Sequence, residues 1–356
     1  VPNTMPMITY EIEYIDNIIY WTEMINQQIK NCMVFMCDVL LYLNLNGWTA
    51  QTHLWNITLK NGTPILLDVG DFMPIRTRDW QAQQGHSLNS MLSKKKSDHA
   101  PKTMYSWLKD GNKVLQDIVS LNLGDRYWLD HLAIPKIKEI FSTAEIVNQT
   151  NYWDTYNKTQ YLSKEQILAS VENKKDKPVC DYIKKNKPQT LVDVGCNSGR
   201  LSLYAALQGI RCIGLDTAAK TIDEANGAAK KLDLKCSFAY LDLFKSDIEL
   251  PCTTSVSRET PHKRFKSDMV IAPAVIHHMF DPPEKNIKRI IDLICKYAHK
   301  NIAIEFIPHT DPSINRNVND WFSFEAVLEA INSNRFEIED VVDSNTSGRK
   351  WILGKK

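Results

Sequence analysis

The stretch Thr190-Leu-Val-Asp-Val-Gly-Cys-Asn-Ser-Gly199 limits what this chain can fold into more than any other. A short run of buried-type strand enters a loop with glycines at 195 and 199, and a helical run from Gly199 to Leu207 follows. Glycine permits the sharp turn and lets a ligand approach the backbone. The helix start supplies N–H groups with no partner inside the helix. A strand, a tight loop and a helix in this order open a crossover between parallel strands, so the second half of the chain reads as α/β.

The rhythm that follows is regular. Arg211-Cys-Ile-Gly-Leu215, Ser237-Phe-Ala-Tyr-Leu241, Asp268-Met-Val-Ile-Ala-Pro273 and Asn301-Ile-Ala-Ile-Glu-Phe-Ile307 are the next four strands. Helices are expected from Thr217 to Leu232, with Ile222, Ala225, Ala229 and Leu232 at helical spacing, from Ile287 to Tyr297 and from Phe324 to Ile331. Phe336 to Val342 and Lys350 to Leu353 form a closing hairpin around Asn345-Thr-Ser-Gly348. The sum is a doubly wound, mainly parallel seven-stranded sheet of the Rossmann-like type, with antiparallel strands at one edge. Upstream, Ser163-Lys-Glu-Gln166 fits a capping box, and Pro188 ends the helix before the first strand.

Acidic residues mark the ends of successive strands. Asp193 closes the first, Asp216 closes the second 21 positions after Gly195, and Asp242 follows the third. A carboxylate at Asp216 suits a pair of ribose hydroxyls, and Asp242 suits an adenine amino group. A dinucleotide loop shows G-x-G-x-x-G against a pyrophosphate, and Gly195-Cys-Asn-Ser-Gly-Arg200 lacks that triplet. An aspartate just before the loop repels a pyrophosphate and attracts an ammonium. S-adenosylmethionine (SAM) carries an amino group, a sulfonium and no phosphate, so the pattern favours SAM. For one such residue, an aspartate buried in a turn is an equal reading. For Asp193, Gly195, Gly199, Asp216 and Asp242 together it is the weaker one. The candidate cofactor contacts are Asp193, Gly195, Cys196, Asn197, Gly199, Asp216, Thr217, Asp242, Leu243 and Ala272.

Leu191 to Leu243 resembles motifs I to III of the class I SAM-dependent methyltransferases. The segments Ser267 to Met279, Ile304 to Pro312, Thr52 to Ile57, Leu67 to Gly70 and Tyr152 to Tyr156 resemble a bacterial subfamily of nodulation-protein-like methyltransferases. The likeness runs from about position 47 onward. It implies methyl transfer from SAM to a small-molecule or metabolite acceptor, with S-adenosylhomocysteine as product. Asn197 departs from the superfamily, which often has glycine there. Its side chain either contacts the amino acid end of the cofactor or holds the turn.

The acceptor is expected beyond the fourth and fifth strands. Val275-Ile-His-His-Met279 follows the fourth, and Glu305, His309 and Asp311 lie at or after the end of the fifth. Ala272-Pro273 does not supply the Asn/Asp-Pro-Pro-aromatic motif of amino-group methyltransferases. Methyl transfer needs alignment of the nucleophile and, for a hydroxyl, removal of its proton. His277 and His278 are the candidate bases, one of them with a purely structural role, and Glu305 is the candidate to orient a histidine or bind an acceptor cation. The spacing of these groups specifies no metal.

Residues 1–150 show no strand–helix alternation and are expected to form an α+β accessory domain, with residues 151–356 as the methyltransferase domain. Tyr10 to Leu45 has a helical rhythm, and Met33-Val-Phe-Met-Cys37 within it reads as core. Two β-prone runs flank Asn61-Gly62, a strong hairpin signal. His53-Leu-Trp-Asn56 and Leu67-Asp-Val-Gly70 resemble a remnant of kinase-like phosphotransferase loops, but Gln51 stands where the catalytic aspartate belongs. A plain hairpin with Asp68 capping a turn is the stronger reading. Trp80, Trp107, Trp128 and Trp153 read as core or interface residues.

The net charge is +1, from 43 Lys and Arg against 42 Asp and Glu, so no bulk field steers the 356-residue chain toward nucleic acid or membrane. The basic run His262-Lys-Arg-Phe-Lys266 is the one candidate phosphate contact, for an RNA or DNA methyltransferase. A non-catalytic SAM-binding scaffold subunit is the other alternative. The eight cysteines include no C-x-x-C pair, which points to reduced thiols and a cytoplasmic setting.

Overall fold

The computed structural model describes residues 18–20, 23–50, 56–67, 72–74, 108–120, 133–147, 160–245, 259–279, 286–311, 322–344 and 348–356. The expectations for Gln51, His53, Trp55, Asp68, Trp80, Trp107, Trp128, Trp153 and Cys252 lie outside them.

The first half opens with helix α1 (Asn26–Leu45). Gln28 Oε1 reaches back to accept the N–H of Ile25 at 3.0 Å, which satisfies one donor at the helix start. Ile29, Cys32, Met33, Met36, Cys37, Leu40 and Leu43 recur at helical spacing and are buried, so the expected core segment is core. Strands β1 (Trp48–Ala50), β2 (Ile57–Lys60), β3 (Thr63–Leu66) and β4 (Phe72–Pro74) follow, then α2 (Gly111–Ser120) and α3 (Ala133–Thr143). β2 and β3 pair antiparallel with Lys60 opposite Thr63. The two-residue loop has φ of 49° at Asn61 and 73° at Gly62, the left-handed pair that a type I′ turn requires.

The second half runs α4 (Lys164–Val171), α5 (Lys177–Asn186), β5 (Thr190–Val194), α6 (Arg200–Leu207), β6 (Arg211–Asp216), α7 (Ala219–Lys231) and β7 (Cys236–Tyr240). It continues with the short α8 (Pro261–Arg264), β8 (Ser267–Ala272), α9 (Ile287–Cys295), β9 (Ala298–Phe306), α10 (Phe324–Ser333), β10 (Glu337–Asp343) and β11 (Lys350–Lys355). Pro188 acts as expected: a residue before proline avoids the helical region, and Lys187 leaves α5 with φ of 45°. The capping box at Ser163 is half formed. Ser163 Oγ accepts from Gln166 N at 3.3 Å, but the Gln166 side chain accepts from Leu162 N instead.

The sheet order is β10-β11-β9-β8-β5-β6-β7. β5 to β9 are mutually parallel, and β11 is antiparallel to both β9 and β10. Sequence reading placed the closing hairpin at the edge. The second strand of that hairpin slots against β9, which leaves the acidic β10 outermost. At the opposite edge, the Asn226 side chain from α7 accepts from Phe238 N and donates to Phe238 O, at 3.1 and 3.0 Å. One amide thereby occupies both groups that Phe238 of β7 would offer a further strand.

Side chains alternate across the sheet. Leu191, Met269, Ile271, Ala303, Trp351 and Leu353 pack with α4 to α7. Val192, Val270, Ala272, Ile302, Ile304 and Ile352 face the other way, into a cluster that includes α9, α10, α1 and α3. That second cluster joins the two halves of the chain. Polar ties reinforce it. The buried Arg264 forms an ion pair with the buried Glu23 and stacks on Tyr20 at 4.3 Å. The basic run at 262–266 is thus no continuous solvated face, because its arginine turns inward. A Cβ on Gly62 would stand 2.9 Å from Asn226 Cβ, so the hairpin turn rests on α7. Among the described residues, no helix is long and apolar enough to cross a membrane.

Candidate active site

Parallel sheets open a crevice beyond the strand C-termini where the strand order reverses. Here that point is β5: the chain adds β6 and β7 on one side and later returns to add β8 and β9 on the other. Gly195 leaves β5 at this point with φ of 71°. A Cβ there would lie 2.4 Å from Val275 Cγ2, in the loop after β8. Glycine is therefore required twice, for the backbone angle and for the close approach of two loops. Gly199 has φ of 78°, and a Cβ there would meet Phe238 Cζ at 2.5 Å. Phe238 escaped the sequence reading. Its ring fills the space left by Gly199 and by Gly214 of β6, where a Cβ would sit 2.4 Å from the same ring.

Asn197 also adopts a left-handed φ, 47°, which asparagine tolerates. Its Oδ1 accepts from Ser198 N at 2.8 Å, so the side chain is engaged in holding the turn. Its N–H donates to Asp216 Oδ2 at 2.7 Å, while Asp216 Oδ1 accepts from Ala218 N at 2.9 Å. The half-buried Asp216 carboxylate is thus oriented by two backbone donors at the end of β6. Asp242 is half-buried and accepts from Phe244 N at 3.1 Å. Thr217 lies half-buried beside Asp216. Cys196, Leu243 and Ala272 are buried and belong to the hydrophobic clusters, so their side chains serve packing.

Asp193 is 1% exposed and faces α6, where Ser202 Oγ donates to its Oδ2 at 2.6 Å. Its Oδ1 is buried with no hydrogen-bond partner among the described residues. Burial pushes the carboxyl up to about 7, against the pull of Ser202 and with a further push from Asp216. The sequence expectation placed a positively charged partner at Asp193; in the structure the carboxyl is sealed against α6 and bonded to Ser202.

The β8–β9 side is built differently. A 3-10 turn, Ile276–His278, brings His277 and His278 together with ring centroids 3.7 Å apart. Burial, then His278 and Arg349, lowers His277 to about 3, and its Nδ1 is buried without a partner. His278 keeps an exposed edge; surrounding protein and Arg349 lower it to about 4, the softer of the two shifts. Both imidazoles are neutral at pH 7. A general base works best with a pKa near the working pH, so these shifts weaken the base expectation and favour neutral hydrogen-bonding roles.

Glu305, at the end of β9, is fully buried and points to the α4–α7 face. Lys175 Nζ stands 3.7 Å from its Oε2, and Ser344 Oγ lies 3.4 Å from its Oε1. Burial raises its pKa despite Lys175 and Arg349. Two further ion pairs flank it: Arg349 with Asp311, at 2.6 and 3.0 Å, and Arg200 with Asp176. Asp311 was singled out in the sequence; Lys175, Asp176, Arg200 and Arg349 were not. His309 is exposed. Among the described residues, no group of three His, Cys, Asp or Glu is arranged to hold a metal ion, and seven cysteines are buried free thiols.

Comparison with known proteins bears on the same region. Residues 192–296 match a family described as "Methyltransferase domain". The nodulation protein NoeA of Rhizobium meliloti (strain 1021) is 27% identical over 161 residues, 44% of this chain. The chain spans about a third of that protein's length, since the match covers 33% of it. Among solved structures, magnesium protoporphyrin IX methyltransferase (ChlM) from Synechocystis PCC 6803, crystallised with bound SAM, is similar at 16% identity and a TM-score of 0.40. That match covers 56% of this chain and 87% of the other. TehB from Haemophilus influenzae is similar at 18% identity and a TM-score of 0.39, covering 60% and 68%. The bifunctional kinase-methyltransferase WbdD is similar at 17% identity and a TM-score of 0.34, covering 54% and 39%.

Proposed function

We propose that this chain, whose second half is built as a class I methyltransferase domain, transfers a methyl group from SAM to a small-molecule acceptor and releases S-adenosylhomocysteine. The observation that supports this reading is the convergence at the β5 crossover: a loop with no room for a Cβ at Gly195 or Gly199, a buried Asp193 oxygen with no hydrogen-bond partner among the described residues, and an oriented Asp216 carboxylate. Bound SAM would supply a methyl group made electrophilic by its sulfonium. In this reading Asp216 accepts from the ribose hydroxyls, Asp242 meets the adenine, and Asp193 faces the amino acid end across the loop backbone of Gly195 to Gly199. No pyrophosphate fits a loop with a carboxyl at its root.

On the acceptor side, His277 and His278 act as neutral imidazoles that hydrogen-bond and orient the nucleophile. Proximity and alignment then carry most of the rate enhancement, as an in-line displacement allows. Glu305 sets the local field rather than removing a proton directly. Residues 1–150 form an accessory α+β region in this reading, anchored to the methyltransferase half through Glu23–Arg264 and the 61–62 turn. Calorimetry with S-adenosylhomocysteine tests the cofactor assignment, and mass spectrometry of SAM-dependent mass gain in co-purified metabolites tests the acceptor class. Cofactor binding with no +14 Da product from any metabolite pool would favour a scaffold role instead.

A further inference from the structure

Lys175 lies on the turn between α4 and α5, with its ammonium beside Glu305 at the C-terminal end of β9. Its backbone C=O accepts from Trp351 Nε1 at 2.8 Å, which pins the turn between α4 and α5 to β11. The next residue, Asp176, is buried and ion-paired with Arg200, the first residue of α6 after the glycine loop. The turn is therefore fixed by two successive residues, and Lys175 is held beside Glu305, where its charge is felt by His277.

The three cations of this cluster are not equivalent. Arg349 is tied to Asp311 by two short bonds, and Arg200 is tied to Asp176. Among the described residues, Lys175 has one ion pair, a long one of 3.7 Å to Glu305 Oε2, beyond hydrogen-bond length, and that oxygen has no hydrogen-bond partner. Lys175 is also 29% exposed, whereas Glu305 is sealed. An ammonium offers three donors, and a partly desolvated one with no close acceptor is costly.

We propose that Lys175 binds a carboxylate of a ligand in the methyl-transfer crevice. The inference rests on the methyltransferase reading for the choice of ligands. A monoanion fits better than a phosphate dianion, because Glu305, Asp176 and Asp311 already crowd the same cations and repel a second charge. Two sources carry this chemistry: the amino acid end of the cofactor, and an acidic group on the acceptor.

The test compares wild type with Lys175→Met. S-adenosylhomocysteine and 5′-methylthioadenosine, which lacks the amino acid end, are titrated by calorimetry. Benzoate is titrated into protein carrying 13C at lysine Cε and saturated with methylthioadenosine. If the cofactor supplies the carboxylate, Lys175→Met weakens S-adenosylhomocysteine by at least about tenfold and leaves methylthioadenosine unchanged. If the acceptor supplies it, both nucleosides bind the variant normally and benzoate shifts the Lys175 resonance of wild type. Equal weakening of both nucleosides overturns the proposal, as does unchanged binding with no benzoate shift. A wild type that binds neither nucleoside defeats the methyltransferase reading instead, and the benzoate titration alone then decides for or against Lys175.

Discussion

On the β5–β6–β7 side of the crevice, backbone makes the shape: left-handed glycines, N–H groups turned to Asp216, and a phenylalanine ring filling the room the glycines leave. On the β8–β9 side, side chains make it: two neutral histidines and two ion pairs, Lys175 with Glu305 and Arg349 with Asp311. A backbone-built site is local, so few substitutions can alter it without breaking it. A side-chain-built site can be rewired one residue at a time. The difference agrees with the proposed function, in which the cofactor is fixed and the acceptor is a matter of specificity.

The most severe way to break this comparison is Gly195→Val. A β-branched residue at positive φ, driven into Val275, is expected to destabilise the fold by about 4 kcal/mol or more, read by urea denaturation. Arg349→Ala attacks the other side. It removes the guanidinium that makes two bonds to buried Asp311 and is expected to cost about 3 kcal/mol. Affinity for S-adenosylhomocysteine should stay within about threefold, because the two bonds that Arg349 makes to Asp311 lie outside the glycine loop and Asp216.

The two sides also titrate in opposite directions. Asp193, raised to about 7, keeps its proton in the fold while the unfolded chain ionises near 3.8. Its contribution is whole below pH 3.8 and is lost as pH rises through 7. His277, lowered to about 3, stays neutral in the fold while the unfolded chain protonates below about 6.5. Its contribution is whole above 6.5 and is lost as pH falls toward 3. Between pH 4 and 6.5, Asp193→Asn should therefore remove a falling slope of stability with pH, and His277→Gln a rising one. Each change should amount to about 2 kcal/mol across that window, measured by denaturant titration at stepped pH. The mildest test is a control. Gly209 has φ of 83° but open space around its Cα, so Gly209→Ala should cost only about 1 kcal/mol, the backbone penalty without a clash.

The same contrast explains what the sequence disclosed. The strands around Asp193, Asp216 and Asp242 were legible because each motif sits within one strand–loop–helix unit. The Asn61-Gly62 turn was legible because only a few residue pairs accept two left-handed angles. Lys175 was legible only as part of a charged run. Its place depends on Trp351, 176 positions away, and on β11 pairing with β9 ahead of β10. The histidines were found but their character was not, since an imidazole's proton affinity is set by the cations and apolar walls around it. Ser163-x-x-Gln166 shows the limit at short range: the motif was there, yet the glutamine reached one residue further back.

The measurement closest to the centre of this account is calorimetric binding of S-adenosylhomocysteine to wild type and Asp216→Ala. Wild type is expected to bind one equivalent. The variant, stripped of the carboxylate that accepts from the loop N–H groups and that the proposed function places on the ribose, is expected to lose at least about tenfold in affinity while melting as a folded protein. A folded wild type that shows no binding, or a variant that binds as tightly as wild type, would contradict it.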